Sequence, residues 1–340
     1  VTIALAGVVG GMALLLACLS GADARIRRRA AEAERLRRRY LPRAEQGIAG
    51  YLAGSPDLPA PSGAAERALL LAVGLEALAD LRGSERQRLA GLLERLGYVA
   101  EATAALRSRQ AAARRRAAEC LAVIATPATL PGLMAGVADG DVLVRCACAR
   151  ALAEIGGDDA LRAVTATAER DAARAPGQVA AIVLALGSSH PAALAPLLAG
   201  ASGPRLRALA AEVAGALRLA QHAGSLRSLL GAEDHLAAVA AGGLGAIGDI
   251  DAVGDLAALA ADDRRSPAVR VAAVTALGAI GDASAVPCLE PLLRAPDWSL
   301  RTAAGYALAG LSEPGRAALR RAAGSERKEI RDLAGAVLGS

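Results

Sequence analysis

The residues able to do chemistry in this 340-residue chain are few, and their spacing argues against catalysis. Gly243-Leu244-Gly245-Ala246-Ile247-Gly248 matches G-x-G-x-x-G, which in a strand–turn–helix unit would cradle a dinucleotide pyrophosphate. Here no strand pattern precedes it, and Ala276-Leu277-Gly278-Ala279-Ile280-Gly281 repeats it further on, so it reads as a helix segment. The three histidines, His190, His222 and His235, do not fall at metal-ligand spacing, and their places near element junctions predict capping or solvent exposure. The five cysteines are Cys18, Cys120, Cys146, Cys148 and Cys288. Cys146 and Cys148 are two apart in a helical pattern and so point in different directions, which excludes a C-x-x-C redox or zinc motif. Small unpaired thiols in a reducing compartment are the expectation. Neither G-x-S-x-G, a phosphate-binding loop nor H-E-x-x-H occurs. No enzyme activity, cofactor or metal is therefore expected.

Charge locates the partners. The formal net charge is +5, yet residues 23–43 alone carry nine Arg against Asp23, Glu32 and Glu34, leaving the rest of the chain near −1. A nucleic-acid-binding surface needs a basic stripe, so no nucleic acid is expected on the remainder. The composition is 54% hydrophobic with no Phe and aromatics at 1%. Ala and Leu are strong helix formers, whereas sheets favour aromatic and β-branched residues, so the chain reads as all-α. Arg with a single Lys, together with abundant Ala and Gly, resembles the codon bias of a GC-rich bacterial genome, and Val1 fits a GTG start.

Residues 1–22 contain no charge. As a helix about 20 residues cross the roughly 30 Å hydrocarbon core, so one transmembrane helix is expected there. Arg25, Arg27, Arg28, Arg29, Arg35, Arg37, Arg38 and Arg39 follow at once, in a juxtamembrane helix spanning 23–43 that Pro42 should stop. These arginines suit an anionic membrane surface, and the excess of Arg places everything C-terminal of the span in the cytoplasm, as a single-pass protein of the cell membrane. A short coiled coil through the same helix is the alternative use. Two other readings of residues 1–22 are a cleaved signal peptide and a lipoprotein signal, in which Leu15-Leu16-Ala17-Cys18 is the lipobox and Cys18 carries the lipid of an exported protein. A buried helix is the third.

Residues 53–63, with three Pro, read as a linker. Residues 64–112 read as degenerate or capping helical repeats, and 113–340 as true repeats. Clear copies begin at Val144, Leu236, Val269 and Leu300, weaker ones at Ala113, Gln178 and Leu206, and a truncated one at Ile330; the period is close to 31 residues. Within one copy Val269, Ala272, Ala273, Ala276, Leu277 and Ile280 make an apolar helical face. Gly281 ends the helix, Asp282 caps the next, and Ala285, Val286, Leu289, Leu292 and Leu293 face inward. Asp158 and Asp249 stand at the same junction and are expected to cap likewise, and Pro127, Pro191 and Pro314 suit first helical turns.

The pattern V-R-x-x-A-x-x-A-L-G-x-I-G-D-x-x-A resembles the bacterial HEAT repeat, in particular the class called PBS-lyase HEAT-like repeats, over about residues 110–340. The resemblance implies an α–α superhelix, a HEAT-like solenoid, whose second helices line the binding face. On that implication the candidate partner-binding residues are Arg162, Glu169, Arg227, Glu290, Arg294, Arg316 and Arg320, with Trp298 either an interface anchor or a cover over the joint between two repeats. The expected role is a membrane-anchored protein–protein scaffold or adaptor. The alternative is a non-catalytic accessory subunit of an enzyme, such as a lyase or a membrane glycosyltransferase.

Overall fold

The computed structural model describes residues 23–54, 61, 63–199 and 202–339; side chains at 23–33, 36 and 37 are not part of that description. The expected transmembrane helix at 1–22 and Cys18 lie outside the described residues. Among the described residues no helix is long and apolar enough to cross a membrane. These residues form α-helices and short 3-10 turns, with no strand among them. The chain divides into two compact units, Val1–Leu133 and Met134–Ser340.

The first unit holds α1 (Asp23–Leu52), α2 (Ala64–Asp80), α3 (Gly83–Arg95), α4 (Tyr98–Ala105) and α5 (Ala111–Ile124), and most of α6 (Leu130–Gly136). Pro42 does not stop α1, which runs ten residues past it to Leu52. An interior Pro forfeits one backbone hydrogen bond, but tertiary contacts hold the segment that follows. Ala44 and Ile48 are buried. The Arg88 guanidinium donates to the Tyr51 carbonyl at 2.8 Å and lies 5.4 Å from that ring's centre. Tyr98 is buried and donates its hydroxyl to the Arg67 carbonyl at 2.8 Å, while the Arg67 guanidinium sits over its ring, donates to the Leu96 carbonyl and pairs with Glu101. Arg86 clips α3 to α2 and α5 through the Leu78 and Val123 carbonyls.

The second unit is a stack of helix pairs. Its first helices are α7 (Val142–Ile155), α9 (Pro176–Ser189), α11 (Pro204–Ala216), α13 (Asp234–Ile247), α15 (Pro267–Ile280), α17 (Trp298–Gly310) and α19 (Lys328–Leu338). Its second helices are α8 (Asp158–Asp171), α10 (Ala195–Leu198), α12 (Ala223–Leu229), α14 (Val253–Ala261), α16 (Val286–Leu292) and α18 (Ser312–Ala323). Each first helix packs on the next first helix.

Glycine decides how closely they pack. A Cβ on Gly187 would lie 2.7 Å from Val213, on Gly215 2.6 Å from the Gly243 backbone, on Gly245 2.8 Å from the Ala276 backbone, and on Gly278 2.9 Å from the Ala307 backbone. In each pair the tenth residue of one copy meets the eighth residue of the next. The G-x-G-x-x-G run is thereby explained. Gly243 receives the preceding helix, Gly245 approaches the following one, and Gly248 ends α13 in the left-handed conformation at φ +80.

The arginine at the second place of a copy has a recurrent use in four of the copies, while Arg270 donates to the Ala260 carbonyl of α14. The guanidinium of Arg145 donates to the carbonyls of Asp139 and Gly140, that of Arg301 to those of Ala295 and Pro296, and that of Arg331 to those of Ser325 and Glu326. In the first unit Arg114 reaches Ser108 and Arg109 in the same way. Each of these four arginines thus folds back on the loop that enters its own helix, where carbonyls lack helical partners.

Several local expectations need correction. Asp282 does cap, accepting from Ser284 N–H at 2.8 Å. Asp249 makes no capping hydrogen bond and faces Arg227 instead. Asp158 already lies in the first turn of α8, because the paired glycines Gly156 and Gly157 complete the turn before it. In α15 the buried set is Val269, Ala273, Val274, Ala276 and Leu277; Val274 replaces Ala272 and Ile280, which are half-buried. His235 is exposed, but His222, at the N-cap position of α12, makes no side-chain capping bond and is buried, with Nε2 2.7 Å from the Pro191 carbonyl of the preceding repeat.

Candidate protein-binding surface

The second unit contains one buried ion pair of excellent geometry. Arg145 opens α7 and Asp171 closes α8, and both are buried. Nε and Nη2 of Arg145 donate to the two Asp171 oxygens at 2.8 and 2.6 Å. With the two loop carbonyls on Nη1, every nitrogen of the guanidinium has a partner, and the Asp171 hydrogen bond holds its pKa above the ordinary arginine value. The pair locks the two helices of one repeat and shows no reactive geometry. Cysteines are equally inert. Burial pushes the thiols of Cys120 and Cys146 up to about 11 and that of Cys148 to about 12. Among the described residues no group of His, Cys, Asp or Glu is placed to hold a metal ion.

Seven of the eight candidate binding residues lie on or just after second helices, and they are dispersed over the stack. Arg162 and Glu169 project from α8; Arg162 pairs with Asp159, and Glu169 accepts from Ser202 Oγ at 2.9 Å. Arg227 on α12 faces Asp249 at 3.5 Å and Asp251 at 4.0 Å in the next repeat. Glu290 on α16 accepts from Arg321 of the next repeat at 2.8 Å, a hydrogen bond that holds its carboxyl below the usual range. Arg294 is exposed just past α16. Arg316 and Arg320 are exposed on α18, where Arg320 pairs with Glu313. Most of these side chains therefore bridge neighbouring turns or repeats as well as facing solvent. Trp298 lies elsewhere, in the first turn of α17, 70% exposed, so it does not cover a joint between repeats.

Of the membrane-surface set, Arg35, Arg38 and Arg39 are exposed on α1, and Arg38 pairs with Glu34. The side chains of Arg25, Arg27, Arg28, Arg29 and Arg37 lie outside the described residues.

Two open clefts run between second helices. One, of about 230 Å³, lies between α8 and the α10 segment and is bordered by Asp158, Arg162 and Thr165. The other, of about 770 Å³, lies between α12 and α14 and carries Arg227, Asp255, Asp262, Asp263, Arg264 and Arg265. Arg265 donates to Asp234 at 3.1 Å and to the Ala232 carbonyl, and Arg264 donates to Asp262 at 3.0 Å, holding that carboxyl below its ordinary value. The sequence reading missed the acids of this cleft. Their signal was present: residues 228–263 contain seven Asp or Glu and no Lys or Arg. Of these seven only Asp249 stands at a Gly-Asp junction, where a cap was expected.

The family model described as HEAT repeats matches residues 99–185 and 263–339. No curated protein sequence matches the chain. Among solved structures, Kap121p aligns over 98% of this chain and 45% of its own length at 13% identity, with a TM-score of 0.54. Kap121p bound to the SUMO protease Ulp1p aligns over 96% of this chain and 44% of its own at 14% identity, with a TM-score of 0.55. The chain thus spans less than half the length of this relative. Human deoxyhypusine hydroxylase aligns over 72% of this chain and 98% of its own at 20% identity, but its TM-score of 0.32 carries no argument about fold or activity. Two stretches of the chain match HEAT repeats, and the chain has the HEAT-like helical-repeat fold.

Proposed function

We propose that this protein is a membrane-tethered scaffold whose HEAT-repeat unit, held on the cytoplasmic side, receives a partner protein along its second helices and turns over no substrate. The observation that carries this reading is the wide charged cleft between α12 and α14, walled by Arg227, Asp255, Asp263 and Arg265. It is too open and too polar to enclose a small substrate, since ligand sites bury most of their ligand in a largely apolar hollow. A charged, open cleft fits side chains of a folded partner. The same fold holds a protein in the complex of Kap121p with Ulp1p, which favours this class of partner. The tether is supported by the uncharged run at 1–22 and the nine arginines of 23–43.

Tagged full-length protein purified from detergent-solubilised membranes tests the reading. The expected result is a stoichiometric partner whose capture is lost on the double change Arg227→Glu and Asp255→Arg. Capture unchanged by that double change would remove the cleft from the mechanism, and a partner enzyme stimulated by the protein would support the accessory-subunit role instead. A reporter fused after Ser340 that is active only outside the cytoplasm would overturn the topology.

A further inference from the structure

The opposite surface of the same unit carries an inference of its own, independent of the cleft. On three successive first helices, α13, α15 and α17, the solvent-facing positions beyond the first turn hold no charged side chain. They are Ala238, Val239, Gly242 and Ala246; then Val271, Ala272, Thr275 and Ala279; then Thr302, Ala303, Tyr306 and Gly310. Arg270 and Arg301 sit in the first turns, with their guanidinia tied to backbone carbonyls, that of Ala260 in α14 and that of Ala295 in the loop. Charge returns on either side, as Glu212 at the seventh place of its copy on α11 and Asp332 at the third place on α19. The face of an ordinary solvated helix is charged, and a contiguous apolar patch of this kind marks an interface.

Three details say what covers it. First, Gly242, Thr275 and Tyr306 are each the seventh residue of their copy, so they form one row across the three helices. Tyr306 stands 60% exposed at one end of the row. Second, Gly242 at the other end has no internal reason to be glycine. Its φ is not positive, and a Cβ there would meet nothing within 4 Å. An interior helical Gly costs about 1 kcal/mol relative to Ala. Gly243 and Gly245 offset that cost with close helix contacts, and Gly242 does not. Third, three helices about 10 Å apart, two of 14 residues and one of 13, present about 600 Å². Two such faces bury about 1,200 Å², the lower end of specific interfaces.

We infer that this face is where two copies of the chain pair, about a two-fold axis lying in the contact plane, parallel to α15 and passing over Thr275. That operation exchanges the α13 and α17 sides. Each Tyr306 ring then settles into the open space above Gly242 of the second copy, and the two Thr275 side chains meet. An aromatic knob in a glycine hollow is the type of contact that carries binding energy in small interfaces. The modest area makes the dimer reversible, with dissociation on dilution.

Full-length protein in mild detergent is the material for the test. Thr275→Cys should form a covalent dimer on oxidation, above the background of the native cysteines, and the double variant Gly242→Cys with Tyr306→Cys should do so where Gly242→Cys alone does not. Ser228→Cys, exposed on α12, serves as the control and should remain uncrosslinked. Tyr306→Arg should weaken self-association measured by sedimentation by about ten-fold or more, with an unchanged helical circular-dichroism spectrum. Equal crosslinking through residues 228 and 275, or a sedimentation profile insensitive to Tyr306→Arg, would overturn the assignment. So would a monomer that binds phosphatidylcholine vesicles through Tyr306, because the face would then serve lipid.

Discussion

Arg145 and Asp171 show how much one buried pair decides. Both charges are out of water; Arg145 is satisfied by Asp171 and two carbonyls, and Asp171 by Arg145, with the exposed Arg174 3.8 Å away. Removing one partner leaves an uncompensated buried charge, which costs about 3–5 kcal/mol. Arg145→Ala is therefore expected to lower the urea midpoint sharply, while Arg320→Ala, at an exposed pair, should change stability by less than about 1 kcal/mol. Comparing the two variants in one denaturant series checks this. The cysteines give a pH prediction. Burial raises the thiol of Cys148 to about 12, so the folded state keeps its proton where the unfolded chain, near the ordinary value, loses it. The stabilisation is fully present below the unfolded thiol's pKa and is lost as pH rises through that value toward about 12. Below pH 9 a thiol reagent should react with Cys146 and Cys148 only after denaturation; prompt labelling of native protein would refute their burial. At this scale the sequence was a partial guide. The capping of Asp282 was readable from the Gly-Asp junction, whereas the ion pair of Arg227 with Asp249 needs two residues 22 positions apart to meet across a repeat boundary.

Helices were legible wherever the pattern repeats. Val269, Ala273 and Leu277 recur at helical spacing and are buried. The misreadings fall where tertiary contact outweighs local preference. Pro42 is a helix breaker by local rule, yet α1 continues because Ala44 and Ile48 bury against the rest of the first unit. Pro42→Ala should restore a backbone hydrogen bond without disturbing that burial. It is expected to stabilise the protein by up to about 3 kcal/mol, seen as a raised thermal midpoint with unchanged helical content. The glycine contacts give the opposite test. Gly245→Val places a branched side chain where a Cβ alone would lie 2.8 Å from the Ala276 backbone. Forcing α13 and α15 apart should cost more than about 2 kcal/mol, with increased hydrogen exchange in both helices. Gly242→Ala, three residues earlier, meets nothing inside the chain and should raise the stability of the dissociated chain by about 1 kcal/mol. Opposite signs for two glycines of one helix would separate packing from propensity.

For the whole molecule, the sequence by itself determined the class of architecture. A hairpin period near 31 residues, with glycine and aspartate at three of the junctions, leaves no arrangement in which one helix pair buries its own apolar face, so neighbours must stack. It also determined where positive charge concentrates, because nine arginines within residues 23–43 are a fact of order along the chain. Stacked repeats unfold by neighbour-coupled steps, so chemical unfolding followed by hydrogen exchange should show segments opening at different denaturant concentrations. Only the tertiary structure decided which of the remaining residues act together. Asp249, Asp251, Asp262 and Asp234 become partners of Arg227, Arg264 and Arg265 in and beside one cleft that Asp255 and Asp263 also line, and Gly242, Thr275 and Tyr306, each about 30 residues from the next, become one row. The physical reason is that periodicity along the chain specifies which face of each helix is buried. The register between neighbouring helices is set by the close approach of Gly215 to Gly243, Gly245 to Ala276 and Gly278 to Ala307, and that register places distant side chains side by side.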